Sequence, residues 1–167
     1  LYPLIQEMIK NNRFNLQVVA TGTHLSSLHG KTIQLMEEDG IDVSDKVEMT
    51  MKGDTEDAIC TSISVGLLGF SKLFSRTFPD LLIVLGDRYE LLSICIASLI
   101  HRIPIAHIHG GETTEGAFDE SIRHSITKMA WWHFTAAETY RIRVIQLGEH
   151  PQRVFLVGGM GVDSIIK

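Results

Sequence analysis

The chain has 167 residues, of which 44% are apolar and 21% are charged, and its formal net charge is -5. This is the composition of a globular protein, and a chain of this length buries enough surface for one sizeable core. The mild acidity, without any basic run, argues against a nucleic-acid or anionic-membrane partner. Only two cysteines occur, Cys60 and Cys95, which are too few for a disulfide framework and make the cytoplasm the expected compartment.

The first half of the chain reads as helices alternating with weaker strands. Apolar residues at helical spacing predict a first helix from Leu1, and their periodicity predicts a long helix that begins at Asp54 as N-cap and ends before Pro79. No apolar stretch is expected to reach the length of about 18 residues that crosses a membrane. The other elements predicted here are a strand at 14–20, a short helix at 31–38 and a strand at 47–51.

In the second half the alternation is regular, and it sets the fold class. Strands are predicted at 81–85, 104–109, 133–137 and 154–157, and helices at 89–100, 119–130 and 138–147. Six strands alternating with helices predict an α/β fold with a doubly wound parallel sheet of the Rossmann-like type. Ligands bind such sheets beyond the carboxyl ends of the strands. Polar loops follow the strands at 21–24, 86–88, 107–112 and 158–161.

Asp87 follows five apolar residues and a glycine, which places its carboxylate at the rim of the sheet. A partly desolvated carboxylate there is suited to act as an acid, a base or a ligand. The alternative is that Asp87 caps the helix that begins near Tyr89. Asp119 and Arg123 allow a similar alternative, a helix N-terminal carboxylate with an i, i+4 surface ion pair.

The densest group of functional side chains is formed by His107, His109 and Glu112. Strand periodicity puts the two histidines on one face. They could be drawn as metal ligands with Glu112, but a core histidine bonded to a backbone carbonyl is the more common arrangement. Gly110 and Gly111 suit a phosphate or sugar pocket and equally suit a tight turn.

Nucleotide-binding fingerprints are absent from the sequence. It contains no GxxxxGK[ST] motif, and residues 158–161 (GGMG) do not fit GxGxxG, so a nicotinamide cofactor is unsupported.

Several segments together resemble the hydrolysing UDP-N-acetylglucosamine 2-epimerases of sialic acid biosynthesis. They occur in matching order along nearly the whole chain. These segments are residues 21–26 (TGTHLS), 85–90 (LGDRYE), 107–112 (HIHGGE), 118–128 (FDESIRHSITK) and 143–149 (RVIQLGE).

This resemblance implies one half of a two-domain fold of the glycosyltransferase-B type. Residues 1–158 would form the N-terminal Rossmann-like domain without its first strand, and residues 159–167 would begin the crossover to a C-terminal domain. The expected partners are a UDP-sugar, that missing domain of the same chain and, as in relatives, further copies of the protein.

The chemistry that the resemblance implies is anti elimination of UDP to give 2-acetamidoglucal, followed by syn addition of water to give N-acetylmannosamine, with no cofactor and no metal. Asp87 and Asp119 match catalytic carboxylates of the family, and Arg88 matches an arginine that contacts the nucleotide. Many relatives carry Glu at the position of His109, so either His109 or Glu112 is expected to act there. Gly110 and Gly111 fall in the same segment and are expected beside the UDP-sugar.

Two other functions stay open at this point. One is hydrolysing 2-epimerisation of a UDP-2,4-diacetamido sugar on the route to legionaminic acid. The other is a non-catalytic α/β module that binds a nucleotide-sugar or a partner chain. In either enzymatic case, residues 1–167 alone are expected to be inactive, because the opposing wall of the cleft would be absent.

Overall fold

The computed structural model describes residues 1–25, 32–49, 55–114 and 118–161, and it divides into two compact units, Leu1–Gly69 and Phe70–Lys167. Each unit contains its own parallel sheet, of two strands in the first and four in the second. The predicted parallel α/β arrangement is therefore confirmed. Among the described residues, the hydrogen-bonded strands form two separate sheets.

The first unit is built on one parallel strand pair, β1 (Val18–Thr21) with β2 (Val43–Val47). Gly69 belongs to a helix that packs on this pair, and a β-carbon added there would lie 2.6 Å from Val47 Cγ1, so a larger residue would force the valine or the helix to shift. The helices are α1 (Tyr2–Lys10), α2 (Ile33–Glu38) and α3 (Glu56–Thr77), the last of which continues into the second unit.

The predicted position of β2 was wrong, because the strand ends at Val47 instead of beginning there. Along the strand the inward residues alternate with the exposed Ser44 and Lys46, and Met49 continues the alternation as a buried residue beyond the strand. Period-two burial therefore extends past the hydrogen-bonded ladder, which explains the misplacement. Asp54, the predicted cap of α3, lies outside the described residues, and the hydroxyl of Thr55 accepts a hydrogen bond from the Ala58 N–H at 3.2 Å.

In the second unit the strands are ordered in space as they are in sequence, β3-β4-β5-β6, and all are parallel. Every predicted element of this half is present. The strands are β3 (Leu82–Leu85), β4 (Ile105–Ile108), β5 (Trp132–Thr135) and β6 (Val154–Leu156), and the helices are α4 (Tyr89–Ile100), α5 (Asp119–Met129) and α6 (Glu138–Gln146).

The core of this unit lies between the sheet and the helices α4 and α5. All four residues of β4 are buried, as expected for an interior parallel strand. Each apolar side chain buried here contributes about 1.5–3 kcal/mol. Burial raises the pKa of the Cys95 thiol to about 12, so this cysteine is inert at neutral pH. The main cluster consists of Val84, Cys95, Ile105, Ile122, Ile126 and Ala130.

The helix α3 corrects the expectation about membrane-length segments. Among the described residues it is the one helix that is long and apolar enough to cross a membrane by length and composition. Its side chains Ser62, Phe70, Leu73 and Phe74 are buried in the protein, but only 28% of the apolar window is buried, so packing inside the protein covers only part of its apolar surface. A core helix of a soluble protein and a membrane span can share this length and composition, so α3 is weak evidence for a membrane span.

Candidate active site

Asp87 emerges directly after β3, at a turn formed by Gly86 with φ +83°. Its carboxylate Oδ2 accepts a short hydrogen bond from Arg123 Nη2 of α5, and its side chain is 19% exposed. The capping alternative is wrong, because the N-cap of α4 is Arg88 and no side chain caps that helix end. Asp87 is therefore a rim carboxylate held by a cation, as the strand position predicts.

Arg123 is the buried charged side chain beside Asp87 that sequence reasoning missed. The expected surface ion pair of Asp119 with Arg123 is wrong, since Arg123 is buried and pairs with Asp87. Its Nε and Nη1 atoms are also buried and have no hydrogen-bond partner among the described residues. The helical periodicity of Ile122 and Ile126 places Arg123 at the edge of the inward face of α5, which is compatible with burial but does not specify it.

Unpaired donors on a buried guanidinium are energetically costly, because the charge loses water without gaining an acceptor. Such groups are typical of sites where an anionic partner completes the hydrogen bonding. Arg123 therefore combines two properties at the sheet rim: it orients Asp87, and it offers donors to a negatively charged group.

Arg88 follows Asp87 and is held by a carboxylate of its own helix, and Asp119 lies near enough to influence its charge. Arg88 donates to both carboxylate oxygens of Glu90, from Nε at 3.2 Å and from Nη2 at 3.0 Å. These hydrogen bonds raise the pKa of Arg88 above its ordinary value, and the charges of Glu90 and Asp119 raise it further. Arg88 is thus oriented by Glu90 while most of its side chain stays exposed, and Asp119 acts on it electrostatically.

His109 and Glu112 are in direct contact. His109 Nδ1 lies 3.0 Å from Glu112 Oε1, and the Met160 N–H donates to His109 Nε2 at 3.2 Å. A nitrogen that accepts from an amide carries no proton, so the ring has the tautomer in which Nδ1–H donates to Glu112. Both nitrogens are therefore occupied in this structure, whereas Glu112 Oε2 has no hydrogen-bond partner among the residues that the structure describes.

His109 also has an uncommon backbone conformation, with φ +64°. A left-handed conformation at a residue with a β-carbon costs about 1–2 kcal/mol and persists where the surroundings enforce it. Here the His109 N–H donates to Phe134 O at 2.8 Å, and the ring is held at both nitrogens. The strain is located in the loop that carries the predicted catalytic segment.

His107 is a core residue, in agreement with the alternative of a backbone-bonded histidine. It has no exposed surface, and its Nε2 lies 2.8 Å from Gly86 O. Burial lowers the pKa of His107 to about 4, so the ring is neutral at pH 7. Within the described ranges, no three histidine, cysteine, aspartate or glutamate side chains are grouped so that they could hold a metal ion.

Gly110 and Gly111 are explained by contacts inside the protein. A β-carbon on Gly110 would lie 3.0 Å from His107 Nδ1 and 3.2 Å from Thr127 Oγ1. One on Gly111, which has φ +80°, would lie 2.8 Å from Val144 Cγ2 and closer still to a carbonyl of α6. Their predicted proximity to a UDP-sugar stays a prediction, now beside a packing role for both.

The polar loop of the first unit forms a short 3-10 helix, Gly22–Leu25. Thr21 Oγ1 donates to Val47 O at 2.7 Å, which ties the end of β1 to the end of β2. His24 Nδ1 lies 2.7 Å from Thr32 Oγ1. These contacts order the loop within its own unit.

Comparison with known proteins agrees with this architecture. The chain is 40% identical over 164 residues to the polysialic acid biosynthesis protein P7 of Escherichia coli. It is equally similar to the GDP/UDP-N,N'-diacetylbacillosamine 2-epimerase (hydrolyzing) of Campylobacter jejuni. Each match covers 98% of this chain and 42% of the relative, so the chain spans less than half the length of these proteins.

Solved structures show the same fold. The UDP-GlcNAc 2-epimerase of Neisseria meningitidis bound to UDP-GlcNAc matches with a TM-score of 0.84 at 19% identity, over 98% of this chain and 44% of that one. A further UDP-N-acetylglucosamine 2-epimerase structure matches with a TM-score of 0.86 at 20% identity, over 98% of this chain and 43% of that one. These likenesses confirm the predicted fold class, a Rossmann-like half of a glycosyltransferase-B type fold.

The sequence model of one family, described as UDP-N-acetylglucosamine 2-epimerase, matches residues 6–167, almost the entire chain. The chain belongs to the UDP-N-acetylglucosamine 2-epimerase family.

Proposed function

We propose that the whole protein containing this chain is a hydrolysing UDP-sugar 2-epimerase. The observation that carries the proposal is the rim of the second sheet, where Asp87 is paired with the buried Arg123 and Glu112 is paired with His109. Family membership and two relatives at 40% identity, one of them named as a hydrolyzing 2-epimerase, support the same reaction.

The reaction has two steps that need different groups. First a base removes the proton from C2 while the C1–O bond breaks and UDP leaves, which gives the 2-acetamidoglucal. Then water adds in the syn sense: its hydroxyl goes to C1 while an acid delivers a proton to C2 on the same face, opposite to the face from which the first proton left, and the C2-inverted amino sugar is released. A positioned base, a positioned acid and cationic stabilisation of the diphosphate are therefore required.

The side chains at the sheet rim match these requirements. Asp87, Asp119 and Glu112 supply the carboxylates for the proton transfers. Arg88 is assigned to the nucleotide, and the unpaired donors of Arg123 suit the negative charge that develops on the leaving group. His109 orients Glu112 through its Nδ1–H, so we assign the direct role at this position to Glu112.

Two substrates fit this proposal, and similarity gives each some support. Hydrolysis of UDP-N-acetylglucosamine to UDP and N-acetylmannosamine, as in sialic acid synthesis, is the leading one. The similarity to diacetylbacillosamine 2-epimerases favours a UDP-2,4-diacetamido sugar as the second. We further propose that the whole protein acts in the cytoplasm, contains a second domain that completes the cleft, and forms a homo-oligomer.

The decisive experiment assays the whole protein on both UDP-sugars in heavy water, with the products identified by NMR. The expected result is release of UDP and of a C2-inverted sugar that carries one deuterium at C2. UDP release without deuterium at C2 would contradict elimination. Tight UDP binding with no turnover of either sugar would favour the non-catalytic binding module.

A further inference from the structure

His107 occupies a position in β4 where the other residues are apolar, and it has no exposed surface. Its two ring nitrogens nevertheless face polar atoms: Nε2 lies 2.8 Å from Gly86 O, and Nδ1 lies 3.3 Å from Thr127 Oγ1. A buried imidazole is costly unless its nitrogens are satisfied, so both contacts matter for where the ring sits.

The contact with Gly86 fixes the peptide that leads into Asp87. The Gly86 N–H donates to Ile108 O at 3.0 Å, and the Gly86 carbonyl accepts from His107 Nε2–H. Both polar backbone groups of Gly86 are thus bonded to β4. Because Gly86 has φ +83° and only the next residue carries the carboxylate, this peptide decides the direction in which Asp87 leaves the sheet.

The contact with Thr127 connects the same ring to the helix that carries Arg123. The single proton of the Thr127 hydroxyl is shared between two acceptors, Arg123 O at 3.0 Å, one turn earlier in α5, and His107 Nδ1 at 3.3 Å. A β-carbon at Gly110 would approach both His107 Nδ1 and Thr127 Oγ1 to within 3.2 Å, so the contact is closely enclosed. The ring of His107 therefore lies between the peptide before Asp87 and the turn that presents Arg123.

The protonation of His107 follows from its partners. A carbonyl oxygen only accepts, so Nε2 carries the proton that it donates to Gly86. Burial holds the pKa of the ring far below neutrality, so Nδ1 carries no proton at pH 7 and can only accept, from the shared proton of the Thr127 hydroxyl. His107 does not titrate at neutral pH, and its contribution there is geometric.

We propose that His107 is a positioning residue, which holds the Gly86–Asp87 peptide against α5 so that Asp87 stays paired with Arg123. The proposal rests on the proposed function for its kinetic consequences, and its structural content is independent of that function. His107 itself touches neither substrate nor reacting atoms.

A matched pair of variants of the whole protein tests the proposal. The amide nitrogen of glutamine reaches about as far as Nε2, so His107→Gln keeps the donor to Gly86, whereas asparagine in His107→Asn reaches only as far as Nδ1. We expect His107→Gln to keep kcat within about 3-fold, and His107→Asn to lose about 10- to 100-fold in kcat with KM nearly unchanged. Equal kcat values for the two variants would overturn the proposal.

His133 provides a matched control, because it is the register partner of His107 on the neighbouring strand and is equally buried. Its Nε2 contacts Glu149 Oε2 at 3.2 Å instead of the Asp87 turn. His133→Asn is expected to lower the unfolding midpoint while leaving kcat within about 3-fold of the parent. A kcat loss as large as that of His107→Asn would mean that a buried histidine of this sheet has only a general structural role.

Two further measurements test the proposal if the parent protein shows no turnover or if His107→Asn does not fold. Crystal structures of both His107 variants report the geometry directly: the Asp87–Arg123 hydrogen bond is expected to persist in His107→Gln and to open in His107→Asn. Persistence in both would overturn the proposal even if the parent turned over no UDP-sugar. If His107→Asn does not fold, Thr127→Val removes the other contact of the ring, and an unchanged Asp87–Arg123 bond together with unchanged kcat there would overturn it equally.

Discussion

Two clusters in the second unit contain the same types of group and differ in how completely those groups are paired. At the carboxyl ends of the strands, Arg123 gives one hydrogen bond to Asp87 and keeps two buried nitrogens without partners among the described residues. At the amino ends, the buried carboxylate of Glu149 is surrounded by cations. It accepts a short hydrogen bond from Lys128 Nζ, and Arg153 Nη2 lies 4.0 Å away.

His133 completes the second cluster through Glu149 Oε2. Burial lowers the pKa of His133, and the Glu149 carboxylate opposes that effect. Among the described residues, the one buried side-chain atom of this cluster without a hydrogen-bond partner is the neutral Nδ1 of His133, which costs less to bury than the donors of a guanidinium. A site built for stability thus saturates its charge, whereas a site built for a ligand leaves charged donors available.

The largest effect is expected from Asp87→Asn. The amide keeps an acceptor oxygen for Arg123 but removes the basic carboxylate, so kcat is expected to fall by about 10²- to 10⁴-fold while the protein stays folded. Steady-state UDP release and circular dichroism provide the measurements. A near-normal rate would show that Asp87 takes no part in the proton transfers. It would also contradict the proposal that the Asp87–Arg123 cluster is catalytic while the Glu149 cluster is structural.

A smaller effect separates Glu112 from His109. Glu112→Gln removes the carboxylate, whereas His109→Asn keeps a donor at the position of Nδ1, which is the nitrogen that orients Glu112. We expect kcat to fall by about 10²-fold or more in the first variant and by about 10-fold in the second. The reverse order would assign the direct role to His109.

The next prediction concerns pH and follows from the buried histidines. The fold holds the pKa of His107 at about 4, so between that value and about 6.5 the unfolded chain binds more protons than the folded one. Stability is therefore complete above about pH 6.5 and is lost as the pH falls toward 4. His107 alone contributes about 2 kcal/mol of that loss between pH 7 and pH 5.

Urea unfolding at these two pH values measures the loss. His107→Gln is expected to reduce the pH dependence without removing it, because the pKa of His133 is lowered in the same direction. An identical pH dependence in parent and variant would show that His107 does not contribute.

The smallest effect is expected at the cluster around Glu149, where the charges are paired. Glu149→Gln removes the carboxylate shared by Lys128 and His133, and it should lower the free energy of unfolding by about 1 kcal/mol, because the Lys128 side chain is half exposed. Turnover is expected to stay unchanged. A loss of kcat comparable with that of Asp87→Asn would show that the two clusters are not functionally distinct.

Most of the second unit could be predicted from the sequence, because continuous apolar strands such as 81–85 in regular alternation with helical segments leave few alternatives. The first unit was harder, since Met49 continues the alternation of β2 beyond its last paired residue, Val47. The alternation of apolar and polar residues indicates which side chains are buried, whereas the extent of a strand also depends on where its partner strand ends.

The site shows the same division between local and long-range information. The position of Asp87 at the rim follows from its strand, and so does the partial exposure of its carboxylate. Its partner Arg123 lies 36 residues away, and no local spacing specifies that contact. The i, i+4 spacing of Asp119 and Arg123 suggested a pair that tertiary packing overrides, because the inward face of α5 carries Arg123 into the interior.

The strand order of the second sheet has a consequence for how this unit folds. Each strand pairs with the one that precedes it in the chain, and paired residues such as Leu82 and Ile105, or His133 and Val154, are fewer than 30 residues apart. The chain segment that each pairing closes is short for a parallel sheet, so the entropic cost of each pairing is modest. We expect the sheet to grow strand by strand outward from the fully buried β4, with β6 joining late.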